Sequence, residues 1–130
     1  IGQVTFEDIR VEYTKHQLPD VFQNNMDAPY PTDTPVRHPL LFCLPIYRSG
    51  LFAEDGLNGQ IHDITFRNIR ILTDAPEVPV PESAFLGLDA EHTVEQICIA
   101  GVTCNGKRLA TREELRLHIN EFVRDVTILP

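Results

Sequence analysis

Ile61-His-Asp-Ile64-Thr-Phe66-Arg-Asn68-Ile69-Arg-Ile71 repeats a pattern first met at Ile1-Gly-Gln-Val4-Thr-Phe6-Glu-Asp8-Ile9-Arg-Val11. The pattern returns at Val94-Glu-Gln-Ile97-Cys-Ile99-Ala-Gly101-Val102-Thr-Cys104, and a truncated fourth copy runs Val123-Arg-Asp-Val126-Thr-Ile128. Self-similarity at a spacing of a few tens of residues marks stacked repeat units, each too small to bury its own apolar face. Within each copy apolar and polar residues alternate (Val4/Phe6, Ile64/Phe66, Ile97/Ile99), as in a strand with one buried face. The alternation then slips and resumes at Ile9/Val11, Ile69/Ile71 and Val102/Cys104. Two short strands therefore meet at a bend and face one core.

The residue at the slip is Asp8, Asn68 or Gly101. All three tolerate left-handed backbone: Gly because it has no Cβ, Asn and Asp through local hydrogen bonds. A two-residue hairpin wants two positive-φ residues in succession, such as Asn-Gly. Here each special residue is followed by a β-branched one, which favours a one-residue corner over three unrelated hairpins.

Between the bent pairs lie two apolar runs, Leu40 to Tyr47 and Ala84 to Asp89, each suited to a buried strand. A lone strand, a loop and a bent pair make one rung. The predicted fold is all-β, a right-handed parallel β-helix of about three to four rungs with three strands per rung. Successive copies start 60, 33 and 29 residues apart (61−1, 94−61, 123−94). The interval of 60 holds one lone strand, so it predicts one rung with large loops. An antiparallel sandwich is the alternative for many short strands, and a parallel stack would exclude it.

Residues 14–39 carry Pro19, Pro29, Pro31, Pro35 and Pro39 without periodicity and read as an inserted loop. Asp74 to Pro81 reads as a rigid proline connector. Thr111-Arg-Glu-Glu114 is a capping box, predicting a short helix over Arg112 to Leu117 that decorates a corner. Residues 1–130 form a single β-helix segment on this reading. Because the chain opens and closes inside a repeat, it is expected to be a C-terminal piece of a longer protein. Open β-helix ends expose strand edges, which predicts marginal stability or self-association through the open end.

Nineteen acidic side chains outweigh 11 basic ones, for a net charge of −8, and no basic cluster exceeds Lys107-Arg108. This argues against a nucleic-acid partner and against an anionic membrane surface. No apolar run approaches the ~18 residues of a membrane span, and no leader is visible. Cys43, Cys98 and Cys104 are odd in number and lack C-x-x-C spacing, so they read as free thiols, which favour a reducing, cytoplasmic compartment. His16, His38, His62, His92 and His118 show no metal-ligand spacing. No P-loop, dinucleotide or G-x-S-x-G motif occurs, so neither a metal nor a cofactor is expected.

The chain resembles bacterial right-handed β-helix proteins of the pectin-degrading type. It is most similar to C-terminal rungs of the polygalacturonase-like glycoside hydrolases of family 28. The resemblance rests on Ile64 to Ile71, on Phe85 to His92, and on Val102-Thr-Cys-Asn-Gly106 closing the third copy. It covers most of the chain apart from residues 14–39. It implies a carbohydrate-active parent with a polysaccharide or oligosaccharide as partner. The family's catalytic signatures are Asn-x-Asp, Asp-Asp, Gly-His-Gly and Arg-Ile-Lys. The last three are absent here, and Asn25-Met-Asp27 fits the first only inside the proline-rich loop. No catalytic residue is therefore carried over, and catalytic rungs are expected upstream of Ile1. A structural or saccharide-binding β-helix module without activity is the other reading.

Glycoside hydrolysis needs two carboxyl groups about 5 to 9 Å apart. The best local candidates are Asp89 and Glu91, just after a strand, with His92 beside them. Glu54 and Asp55 occupy the equivalent corner one rung earlier, and Arg48 precedes them. With rungs about 4.8 Å apart, the two corners would face one another. These six residues are expected to line the far end of a saccharide groove rather than to catalyse. Tyr13, Tyr30 and Tyr47 lack regular spacing and read as packing or loop anchors.

Overall fold

The computed structural model describes residues 1–14, 41–46 and 59–130. The chain is all-β: β1 (Gly2–Tyr13), β2 (Cys43–Pro45), β3 (Ile61–Thr73), β4 (Ser83–Leu86), β5 (Val94–Cys104), β6 (Lys107–Leu109), β7 (Leu117–Ile119) and β8 (Val123–Leu129). The repeat copies form one sheet, with β1 beside β3, β3 beside β5 and β5 beside β8, all parallel. The lone strands form the second sheet, β2-β4-β7, also parallel. This pairing excludes the antiparallel sandwich. β1 and β3 are hydrogen-bonded neighbours although their repeat copies start 60 residues apart.

Register follows the repeat position by position. Val4, Ile64, Ile97 and Val126 share one row, and Phe6, Phe66, Ile99 and Ile128 share the next. Rows of like apolar side chains fill the space between the sheets, where Phe66 stacks on Phe6 at 5.2 Å and meets Phe42 at 4.4 Å. Phe85 on β4 closes this interior from the other sheet and is fully buried. Shielding is uneven along the rows. Phe66 is 6% exposed and Ile69 1%, whereas Phe6 is 41% exposed and Ile9 38%, because β1 is the outer strand. Cys43, Cys98 and Cys104 are free.

The corner at Asp8, Asn68 and Gly101 is left-handed, with φ of 58°, 54° and 65°. Asn68 Nδ2 donates to Asp8 Oδ1 across the rung, so the corner residues also bond along the stack. A second left-handed column, at Gln3, Asp63, Gln96 and Asp125, adds a bend five residues earlier. Each repeat copy is thus three segments joined by two corners. At Gly101 an added Cβ would come no closer than 3.6 Å to Asn68 N. Gly101→Asn is expected to keep stability within about 1 kcal/mol of wild type or raise it, because Asn accepts left-handed backbone and narrows the unfolded ensemble. Gly101→Val should cost about 1–2 kcal/mol more than that. Paired urea titrations read the difference.

Four further features depart from the sequence expectations. No helix forms over Arg112–Leu117; those residues make a turn that leads into β7. The capping contacts are present, with Thr111 Oγ1 accepting from Glu114 N at 3.1 Å and Glu114 Oε2 accepting from Ala110 N at 2.8 Å. The turn ends at once because Arg116 is left-handed (φ 47°) and Leu117 pairs with Ser83. β7 is therefore a third lone strand that the sequence pattern did not show. The predicted strand over Ala84–Asp89 stops at Leu86, since Leu88 N donates to His92 O and closes a loop. Finally, the incomplete fourth rung is completed from elsewhere. Asn105-Gly106 (φ 48° and 82°) turns the chain into β6, which pairs antiparallel with Val102–Cys104 where a fourth bent strand would have lain. Leu109 is buried there.

Candidate functional site

Asp89, Glu91 and His92 lie in the loop between β4 and β5, and the structure brings them together. Asp89 Oδ1 accepts from the His92 ring Nδ1 at 2.7 Å, from His92 N at 2.9 Å and from Glu91 N at 3.0 Å. An aspartate bonding to backbone N–H groups two and three residues on is a local turn motif, which is why this short polar sequence folds back on itself. The loop is tied to the stack at its far side. Gln60 Nε2 donates to Glu91 O at 3.2 Å and to Thr93 Oγ1 at 3.4 Å, while Thr93 Oγ1 donates to Glu95 Oε2 at 3.2 Å. Gln60 and Thr93 were not among the sequence candidates. Each immediately precedes the first apolar position of a repeat copy, and that shared place was the available signal.

Arg48, Glu54 and Asp55 lie outside the described residues, as do His16, His38, Tyr30, Tyr47 and Asn25-Met-Asp27. Tyr13 ends β1 and packs against the core. His62 pairs with its neighbour Asp63 at 2.7 Å, and His118 lies 3.6 Å from Glu82, so neither joins the loop. Among the described residues no three His, Cys, Asp or Glu side chains group in a way that could hold a metal.

Partial burial alone, the largest single influence, would raise the Asp89 carboxyl. The bonds from the His92 ring and from the Glu91 and His92 N–H groups outweigh it and hold Asp89 below the usual carboxylate range. A folded-state value below the unfolded one means the contribution to stability is complete above the unfolded value, ~3.9. It is lost as pH falls through the lower folded value. Asp89→Asn is therefore expected to lower the melting temperature at pH 7, and the gap to wild type should narrow as pH falls below about 4. Thermal melts at neutral and acid pH measure it.

The chemistry this loop supports is limited by those same bonds. Asp89 Oδ1 is engaged in three internal contacts, so Asp89 serves first to shape the loop and to orient the His92 imidazole. With Nδ1–H donating to Asp89, the neutral ring presents Nε2 as an acceptor. Glu91 is exposed, whereas Asp89 and His92 are half-buried. The set offers acceptors and a polarised imidazole for hydroxyl groups. It does not offer the two uncommitted carboxyl groups that glycoside hydrolysis requires. Comparison of the chain with family models, with curated proteins and with solved structures gives no match.

Proposed function

We infer that this chain is a right-handed parallel β-helix segment of a carbohydrate-active protein of the polysaccharide-degrading, polygalacturonase-like kind, and that the segment binds saccharide without cleaving it. The observation that carries this reading is the in-register parallel stack with the polar Asp89–His92 loop at its edge. Parallel strands joined by long connections within one sheet are right-handed in ≈ 98% of cases, which supports the handedness. A ladder of strands with loops at its corners presents an extended surface suited to a chain-like ligand. The loop's acceptors match sugar hydroxyls, and Asp89's internal bonds argue for holding rather than hydrolysing.

The test is calorimetric titration with pectic and neutral oligosaccharides, run beside a reducing-sugar assay. Binding that weakens on Glu91→Ala or His92→Ala, with no sugar released, is the expected result. Sugar release by the wild-type chain would overturn the non-catalytic assignment. No binding to any oligosaccharide would leave the purely structural module as the reading.

A further inference from the structure

We propose that the outer face of the third segment of the repeat binds a tetrahedral oxyanion, a phosphate or sulfate monoester, between Arg70 and Arg108 and over the Thr103 hydroxyl. This does not depend on the saccharide reading. The place lies at the other end of the repeat copies from the Asp89–His92 loop.

Alternation sets the row. Ile69, Ile71, Val102 and Leu109 are buried, so their strand neighbours Arg70, Thr103 and Arg108 point outward. Pairing then places these side by side: Arg70 beside Thr103 on parallel strands, and Thr103 beside Arg108 across the Asn105-Gly106 hairpin. Neighbouring strands lie about 4.8 Å apart. Two long, exposed arginines therefore flank one hydroxyl at a spacing from which both can lean onto the same ligand. Arg10 continues the row on the far side of Arg70.

The charge pattern points to a partner from outside the chain. Acidic side chains outnumber basic ones by 19 to 11, and most described cations have taken one. Arg10 pairs with Glu12 at 2.5 Å, Arg67 with Glu7 at 2.7 Å, Lys107 with Glu114 at 3.8 Å and Arg116 with Glu82 at 3.0 Å. Arg112 donates to Leu117 O at 3.0 Å, and Arg124 sits beside Glu95 in register. Among the described residues neither Arg70 nor Arg108 forms an ion pair or a side-chain hydrogen bond, and the Thr103 hydroxyl has no partner either. Arg70 is moreover directly opposite Arg10, an arrangement of like charges that is unfavourable until an anion screens it.

The ligand class follows from the donors. A guanidinium offers a planar fork to two oxygens of one anion. Two forks with a hydroxyl between them match an anion with three outward oxygens, as a phosphate or sulfate monoester has, better than a planar carboxylate. A long polyanion fits poorly, because a net charge of −8 repels its remaining charges.

Nuclear magnetic resonance titration of the 130-residue chain at constant ionic strength tests this, with sodium phosphate, sodium sulfate and sodium acetate as probes. Phosphate and sulfate should give saturable shifts at Thr103, Arg70 and Arg108, and acetate none. Glucose 6-phosphate and glucose 6-sulfate then distinguish the two sources, the tighter one naming the ester. Arg70→Gln and Arg108→Gln should each weaken phosphate binding about tenfold, and Thr103→Val by a smaller factor. Arg124→Gln should leave it unchanged. Circular dichroism checks that each variant is folded, and either arginine variant suffices if the other is not. The absence of a saturable shift at Thr103 overturns the proposal, as does acetate binding as tightly as phosphate. So does equal weakening in Arg124→Gln, which would mean diffuse attraction to charge and no site.

Discussion

Phe66→Ala is expected to destabilise the chain by about 3–5 kcal/mol, the cost of emptying an aromatic site in a packed core. Phe66 lies between Phe6 and Phe85 in the stack and touches Phe42 across it, so its removal strands three rings at once. Total stability of a domain is about 5–15 kcal/mol, and the loss is a large part of it. Phe6→Ala removes the same side chain from the same row and should cost about 1–2 kcal/mol at most, because a ring that stays 41% exposed loses less apolar surface to water on truncation than a buried one. The two positions are chemically identical and sit one rung apart, so the difference isolates shielding. Equilibrium urea unfolding of both variants measures it. Equal costs would mean that β1 is covered in solution.

Gly87→Ala is the second large effect. A Cβ at Gly87 would lie 2.5 Å from Phe122 O and 2.6 Å from Phe122 Cβ. The obstacle is largely backbone, so no rotamer change relieves it, and a cost of about 1–3 kcal/mol follows. The close approach has a structural use. Asn120 Nδ2 donates to Gly87 O at 2.8 Å and Asn120 Oδ1 accepts from Gly87 N at 3.1 Å and from Phe122 N at 3.2 Å. The Asn120 amide thus extends the pairing of β4 with β7 past the last strand residue, at a spacing that only glycine permits. Pushing the chains apart breaks those bonds as well. A lowered melting temperature in Gly87→Ala is the expected outcome, with the same direction and a smaller size in Asn120→Ala.

Much of this architecture was legible beforehand because identical local patterns stacked in parallel must place like residues in like rows. The apolar positions at Val4/Phe6, Ile64/Phe66 and Ile97/Ile99 marked the core, and Asp8, Asn68 and Gly101 marked a corner that is left-handed in the structure. The second corner was equally present in the sequence. Ile61-x-x-Ile64 and Val94-x-x-Ile97 show the same three-residue gap as Phe66-x-x-Ile69, and Asp63 and Gln96 sit inside it. The apolar pattern alone does not mark it, because Gln, at two of its four positions, is an unusual left-handed residue. The candidate loop was legible only as a cluster of polar residues. That Asp89 spends its carboxylate on its own loop depends on the path of the backbone from Leu88 to His92, which no composition of side chains specifies.

The sequence by itself determined the stack: the rows, their register and the corner between them. Those follow from local alternation and local backbone preference, each confined to about ten residues. Only the tertiary structure decided three things. The capping box closes a single turn and not a helix, because Leu117 is drawn into pairing with Ser83. The Asn105-Gly106 hairpin supplies the strand that the fourth copy lacks, because Val102–Cys104 would otherwise present an unpaired edge over a buried row. And Phe66 is core while Phe6 is surface, although their local sequences match, because burial depends on which strand lies next in the stack and not on the residues alongside.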